Sequence, residues 1–225
     1  MRKIDLEAMG LRAVNELLQS QREYTNETAW EILNPRGSHA IAAGIDAPIE
    51  VTVNGSTGYY CAGMNKRATI KVNGRVGPGV AENMMSGTVY IEGDASQYAG
   101  ATGHGGLLAI KGNAGSRCGI SMKGIDIVVG GNVGHMSAFM GQAGTLVVCG
   151  DAGDALGDSL YEARLFVRGS VKSLGADCIE KEMEREHLLL LEDLLERANM
   201  HVSPDEFRRY GSERKLYNFD LDNAY

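Results

Sequence analysis

Aliphatic residues recur along this chain in pairs separated by one position, and the pairs return every 19 residues. Each repeat can be numbered from a glycine at position zero; these repeat glycines are Gly55, Gly74, Gly93, Gly112, Gly131, Gly150 and Gly169. Positions +15 and +17 are then aliphatic, as at Ile127 and Val129. Side chains two positions apart lie on the same face of a β-strand. The pattern predicts one short strand per repeat with an inward apolar face.

A strand that returns at a fixed period is typical of a solenoid whose coils stack on one another. We therefore predict an all-β fold, a single-stranded parallel (right-handed) β-helix of about seven 19-residue coils. Glycine would supply positive φ at the corners, and position +7, never larger than alanine, would let the far wall approach the core. A hexapeptide acyltransferase helix is excluded, because the position six residues past +17 is not aliphatic.

The segments on either side of the repeats have helical patterns. Apolar residues from Leu11 to Leu18 predict a short amphipathic helix, and those from Ile179 to Ala198 predict a longer one. The capping box at Ser203–Glu206, with proline at the first helical position, predicts a further short helix. We expect these α-helices to cap the two ends of the solenoid, where backbone edges would otherwise be exposed.

Three parts of the chain follow from this pattern. An N-terminal helical segment with a first strand covers 1–33, the β-helix covers 34–176, and helices with an extended tail cover 177–225. Polar and apolar residues alternate from Lys215 to Leu221, as in an extended segment. This tail is either frayed or docked on something else. Tyr217 and Phe219 are its candidate docking residues.

Composition narrows the possible functions. The chain has 30 glycines and a net charge of −7, and an acidic chain is a poor match for nucleic acid. The N-terminus has no apolar signal region and no long apolar run occurs, so we expect a cytoplasmic protein without a membrane span. Lys66 and Arg67 form a small basic spot that could meet an acidic partner.

A search for chemistry gives no catalytic, cofactor-binding or metal-ligating residues. Cys61, Cys118, Cys149 and Cys178 fall on different sides or distant coils and predict buried thiols. The histidines have no metal-ligand spacing. The acidic run Gly150–Asp154 could suggest calcium, but acids at coil corners usually cap turns. Glycine strings such as Gly103–Gly106 lack the strand-to-helix context of a phosphate loop.

Several strings carry a family resemblance. The spacing G-x-x-G-x-x-x-G occurs at Gly112, Gly115 and Gly119 and again two periods later, and it resembles the C-terminal GXGXG domain of the glutamate synthase large subunit. The same domain type occurs in formylmethanofuran dehydrogenase. More narrowly, a free-standing version, the GXGXG subunit of N-methylglutamate synthase (methylamine–glutamate N-methyltransferase), is similar to the following segments: Asn34–Gly37, Tyr59–Arg67, Gly79–Gly87, Asp94–Gly103 and Arg209–Phe219.

The resemblance implies a hetero-oligomeric enzyme that converts glutamate and methylamine to N-methylglutamate and ammonia. One partner would resemble a class II glutamine amidotransferase, and another would be an FMN-binding glutamate synthase-like subunit with an iron–sulfur cluster. This chain would be the non-catalytic scaffold between them, without a cofactor of its own. Two alternatives stay open: a glutamate synthase GXGXG subunit with ammonia transfer, and a protein like the GXGXG subunit of formylmethanofuran dehydrogenase.

Overall fold

Eleven β-strands form one sheet in a computed structural model of the protein, which describes residues 1–21 and 26–214. Three α-helices accompany them. The strands are β1 (Arg2–Asp5), β2 (Ala29–Leu33), β3 (Glu50–Asn54), β4 (Thr69–Val72), β5 (Thr88–Ile91), β6 (Leu107–Ile110), β7 (Lys123–Val129), β8 (Ala143–Val148), β9 (Arg164–Val167), β10 (Cys178–Lys181) and β11 (Arg208–Ser212). The helices are α1 (Leu6–Met9), α2 (Leu11–Gln19) and α3 (Arg185–Arg197).

Strands β1 to β9 pair in chain order and in parallel, one per coil, which confirms the predicted β-helix. From β3 to β9 the register joins residues 19 apart, such as Ile127 with Leu146, with one irregularity where Lys123 pairs with Ala143. The inward aliphatic side chains stack in two continuous columns, and both Ile127 and Val129 are fully buried. Burial of each such side chain stabilises the fold by about 2 kcal/mol.

Each coil has three sides. The strand wall holds the strands at positions +14 to +17, and a column of single parallel bridges at position +2 forms the second side. The third side, which we call the turn wall, holds positions +4 to +11. There positive φ values alternate along the chain, as at Tyr60, Ala62 and Met64. Residues at position +7 face inward. At Gly100 an added Cβ would lie 2.5 Å from Cδ1 of Ile127, so the facing core residue leaves room for glycine alone at this position.

The repeat glycines are needed for a different reason from the one expected. Positive φ occurs in the repeat-glycine column at Gly55, whereas the next six glycines have ordinary φ. Glycine is required at these positions because the backbones of consecutive coils stack closely. A Cβ on Gly74 would lie 2.5 Å from the carbonyl carbon of Gly55. Glycine does supply positive φ at other places in the coils, such as Gly100, Gly119 and Gly157, whereas contact between consecutive coils explains most of the repeat-glycine column.

Helix α2 caps the N-terminal end of the solenoid, as predicted. Its Val14 and Leu18 are buried against the first coil. Asn15 donates to the carbonyl of Ala40 at 2.8 Å and accepts the N–H of Ala42 at 3.0 Å. The side chain of one helical residue thus satisfies backbone groups that the coil edge would leave unpaired.

The C-terminal region differs from the prediction in two ways. The capping box at Ser203 starts a single 3₁₀ turn, Pro204–Glu206, rather than a second helix. The chain then continues as β11, which lies antiparallel between β9 and β10. Ile179, expected on the apolar face of the long helix, lies in β10. The end of the solenoid is therefore closed by a strand pair and not by a helix.

Helix α3 packs on the side of the solenoid. Its Leu191 and Leu194 are fully buried in a second apolar cluster with outward-facing residues of the strand wall. These outward residues stand at position +16 in consecutive coils and are Ala109, Val128, Val147 and Phe166. The expectation of an end cap was wrong, because the apolar face of the helix matches an apolar stripe on the outer strand wall. Among the described helices, none is long and apolar enough to cross a bilayer.

Candidate interaction surface

Six of the large apolar side chains that are exposed lie on the turn wall. They are Tyr59, Tyr60, Met64, Met85, Met140 and Tyr161. The +5 and +9 columns, whose side chains face outward between buried +7 residues, contain one charged residue, Arg117. Interfaces between proteins are enriched in tyrosine, methionine and arginine and poor in lysine and acids. The turn wall therefore has the composition of a contact surface.

The exposed aromatic residues of the first coils are held in place. The rings of His39 and Tyr59 stack with centroids 4.5 Å apart, and Nδ1 of His39 accepts the N–H of Tyr59 at 2.9 Å. Tyr60 meets Tyr59 edge to face at 6.4 Å. Beside them is an open depression of about 270 Å³ whose lining includes Tyr60, Met64 and Glu82. Ordered aromatic side chains lose little rotamer entropy on binding, which suits them to anchor a partner.

Sequence reasoning did not identify this surface as a site. The signal was present in the +5 and +9 columns, which combine apolar and small polar residues over six coils. The signal is not apparent in the sequence because these positions lie between glycines and alanines, and their apolar residues follow neither the period of a strand nor that of a helix. The alternation of outward and inward side chains there depends on positive φ at non-glycine residues, which a hydropathy pattern does not reveal.

The predicted docking residues Lys66 and Arg67 are exposed on the rim of the turn wall. Both pair with Asp46: Nζ of Lys66 is 3.2 Å from Oδ2, and Nε of Arg67 is 2.9 Å from Oδ1. These contacts lower the pKa of the Asp46 carboxyl, and the hydrogen bond from Lys66 has the largest effect. The basic spot is thus partly neutralised, and its role in docking stays a prediction. Tyr217 and Phe219 lie outside the described residues.

The four cysteines are free and buried. Burial raises the pKa of the Cys118 thiol to about 12 and those of Cys61, Cys149 and Cys178 to about 11. They are protonated at neutral pH, whereas the reactive form of cysteine is the thiolate. These thiols pack as small apolar groups.

The acids of the Gly150–Asp154 run were expected to cap turns, but the contacts of Asp151 and Asp154 are with the next coil. Asp151 accepts the N–H of Ser170 at 2.7 Å, and Asp154 pairs with Lys172 at 2.7 Å. Glu184, Glu186 and His187 also lie close together. There, Nδ1 of His187 accepts the N–H of Glu184 at 3.1 Å in the capping box of α3. Helix capping accounts for this group.

Comparison with known proteins shows a relative over nearly the full chain. The chain is 73% identical over 222 residues to Protein GlxC of Rhizobium meliloti (strain 1021), covering 98% of this chain and 97% of the relative. No protein-family model matches the chain, and no solved structure matches it. Identity of this extent spans the whole β-helix and both flanking segments. The chain therefore belongs to the GlxC family.

Proposed function

We propose that this protein is a non-catalytic scaffold subunit of a glutamate-synthase-like complex, in which the turn wall holds a partner subunit. The observation that carries the proposal is the concentration of exposed tyrosine and methionine on one side of a rigid solenoid. The resemblance to GXGXG domains supplies the class of complex. A scaffold needs a stiff body and a lasting contact face; the stacked coils would supply the first, and the composition of the turn wall supports the second.

The more specific form of the proposal is N-methylglutamate synthase. The partners would then be a class II glutamine amidotransferase-like subunit and an FMN-binding subunit with an iron–sulfur cluster. Support comes from the strings Tyr59–Arg67 and Gly79–Gly87, which resemble the GXGXG subunit of that enzyme. The first of these strings contains Tyr59, Tyr60 and Met64, so the resemblance and the candidate surface coincide.

Purification of the tagged full chain from its own host, followed by native mass spectrometry, tests the proposal. We expect two larger proteins to co-purify, with flavin absorbance in the assembled complex. Molybdopterin in the co-purified material would point instead to a formylmethanofuran dehydrogenase-type assembly. Purification of the chain by itself, with glutamate turnover, would contradict the proposal.

Paired variants test the surface. Tyr60→Asp with Met64→Asp places two charges on the turn wall, and Thr69→Asp with Lys71→Asp places two acids on the outer strand wall. We expect the first pair to abolish co-purification and the second to preserve it, with both variants melting cooperatively. Equal recovery of the partner proteins with both pairs of substitutions would show that the turn wall does not contact a partner subunit.

The docking role of the tail needs a separate deletion. Residues 211 and 212 belong to β11, so a cut before them would damage the end of the solenoid. A chain that ends at Arg214 keeps β11 and removes Tyr217 and Phe219. We expect it to stay folded and to recover less of the partners; unchanged recovery would exclude the tail from assembly.

A further inference from the structure

An open trough runs along the C-terminal coils between the turn wall and the strand wall. It joins two adjacent depressions of about 430 and 140 Å³ that share Tyr161 and Glu162 as lining residues. Lys123 lies in the larger depression, whereas Arg164, Lys181 and Arg209 line the smaller one. We call this feature the basic trough.

Four cations of the basic trough lack acidic partners, whereas Arg214, which also lines the smaller depression, pairs with Asp177 at 2.9 Å. Within the part of the chain that the structure describes, no carboxylate forms an ion pair with Lys123, Arg164, Lys181 or Arg209. Elsewhere most exposed cations are paired, as in Lys71 with Glu92 at 3.1 Å and Arg75 with Asp94 at 3.4 Å. Among residues 1–21 and 26–214, Glu162 is the one acid that lines the trough, on a chain whose net charge is −7.

Two of these cations oppose each other directly. Lys181 of β10 pairs with Arg209 of β11 in the antiparallel register, so both side chains lie on one face of the sheet. Like charges at directly opposed positions destabilise a sheet. One end of Arg209 is satisfied, because its Nη1 donates to the carbonyl of Glu182 at 2.8 Å. Its Nε is buried and has no acceptor among the described residues.

Gly211 leaves space beside this pair. A Cβ at Gly211 would meet only Lys181, at 3.6 Å, so the backbone forms an open floor next to Arg164 and Lys181. An anion lying there would neutralise the opposed cations Lys181 and Arg209. Charge-assisted hydrogen bonds from arginine to a carboxylate are about twice as strong as neutral ones.

We propose that the basic trough binds an acidic, extended peptide segment of a partner protein. The elongated, open shape favours an extended segment over a small molecule, since small-ligand sites bury most of their ligand in a cleft. Carboxylates of the segment would contact Arg164, Lys181 and Arg209 at one end and Lys123 at the other, with its backbone lying across Tyr161. The inference goes beyond the scaffold role and stands on these contacts independently.

Fluorescence anisotropy of a fluorescein-labelled (Glu-Gly)5 peptide with the full chain tests the proposal. We expect saturable binding that weakens by at least about tenfold in Arg164→Glu. Arg117→Glu, which changes the same charge on the turn wall, should bind the peptide as the unmodified chain does. The uncharged (Gln-Gly)5 peptide should not bind. Thermal melts confirm that each variant is folded.

Three outcomes would overturn the proposal. Equal loss of peptide binding in Arg117→Glu would show that the peptide is attracted by the overall charge of the protein and not by the basic trough. Displacement of the peptide by free glutamate at equal carboxylate concentration would show a small-carboxylate site instead. Binding to a chain ending at Arg214 but not to the full chain would show that the occupant is this chain's own residues 215–225. Each result leaves the scaffold role, tested by co-purification, unaffected.

Discussion

The side-chain oxygen of Asn132 accepts the backbone N–H of Asp151, the equivalent residue one coil later, at 2.8 Å. The same contact joins Asn113 to Asn132 at 2.8 Å and Asp151 to Ser170 at 2.7 Å. These residues form a ladder at position +1 that holds consecutive coils together. The ladder occupies the space beside each following repeat glycine, and a Cβ on Gly150 would lie 2.2 Å from Oδ1 of Asn132.

Gly150→Ala should therefore destabilise the protein even though its φ is ordinary. The added Cβ would also lie 2.7 Å from the Gly131 backbone, which cannot move without shifting a coil. We expect a loss of about 2 kcal/mol or more, in the range of overpacked cores. Gly211→Ala is the matched control, because its nearest contact is an ordinary 3.6 Å. Urea denaturation of both variants measures the difference, and similar losses would contradict the stacking explanation.

The period-two register of the strands can be tested at two neighbouring residues of β4. Ile70 is fully buried and Thr69 is exposed. Ile70→Asp buries an unpaired carboxylate among aliphatic side chains, and we expect it to prevent cooperative folding. Thr69→Asp should change the free energy of unfolding by no more than about 0.5 kcal/mol. Circular dichroism melts distinguish them; a cooperative melt of soluble Ile70→Asp would refute the register.

The coil register could be predicted because stacking imposes it on every repeat. A glycine at zero, a small residue at +7 and aliphatic residues at +15 and +17 are each required by contact with the neighbouring coil or the facing wall. One register error would move a whole column of side chains. The period of 19 residues thus determines the inner surface of the solenoid directly.

The position of α3 could not be predicted in the same way. An amphipathic helix shows that one face is buried but not what covers it. The missing signal was position +16, which changes from Lys71 and Tyr90 in the early coils to Val128 and Phe166 in the later ones. Strand β11 was missed because Arg208–Ser212 has no apolar alternation and is held by pairing to β9 and β10.

The candidate sites were predictable to different degrees. Lys66 and Arg67 are exposed as expected, but their pairing with Asp46 depends on a loop one coil earlier, which no local pattern specifies. The opposed pair of Lys181 and Arg209 is separated by a helix and a turn in sequence. Only the antiparallel closure of the solenoid brings these two cations together.

Two leucines of α3 test its packing on the strand wall. Leu191 is fully buried against the outer apolar stripe, whereas Leu189 on the same helix is 57% exposed. Leu191→Ala should cost about 2–4 kcal/mol, and Leu189→Ala should be nearly neutral. Hydrogen exchange should show faster exchange of α3 amides in Leu191→Ala, with β4 amides little changed. Loss of protection in β4 to the same extent would mean that α3 and the solenoid open together.

Asp126 and Asp151 should respond to pH with opposite signs. Burial raises the pKa of Asp126, the Thr145 side chain, Arg197 and Arg164 oppose the shift, and Asp193 adds to it. A folded-state pKa above the unfolded value of 3.8 means that stability is lost as pH rises through the folded pKa. Hydrogen bonds from the Ser170 backbone and hydroxyl lower the pKa of Asp151, so its contribution is present above 3.8 and lost as pH falls.

Asparagine substitutions measure both effects, since they remove the charge and keep the shape. Asp126→Asn should raise the urea midpoint at pH 7, because it removes a carboxyl whose ionised form burial disfavours, and should have little effect at pH 3. Asp151→Asn should lower the midpoint at pH 7 and approach the unmodified chain at low pH. A lower midpoint for Asp126→Asn at pH 7 would mean that its carboxylate is stabilised by Arg164 and Arg197 more than burial penalises it.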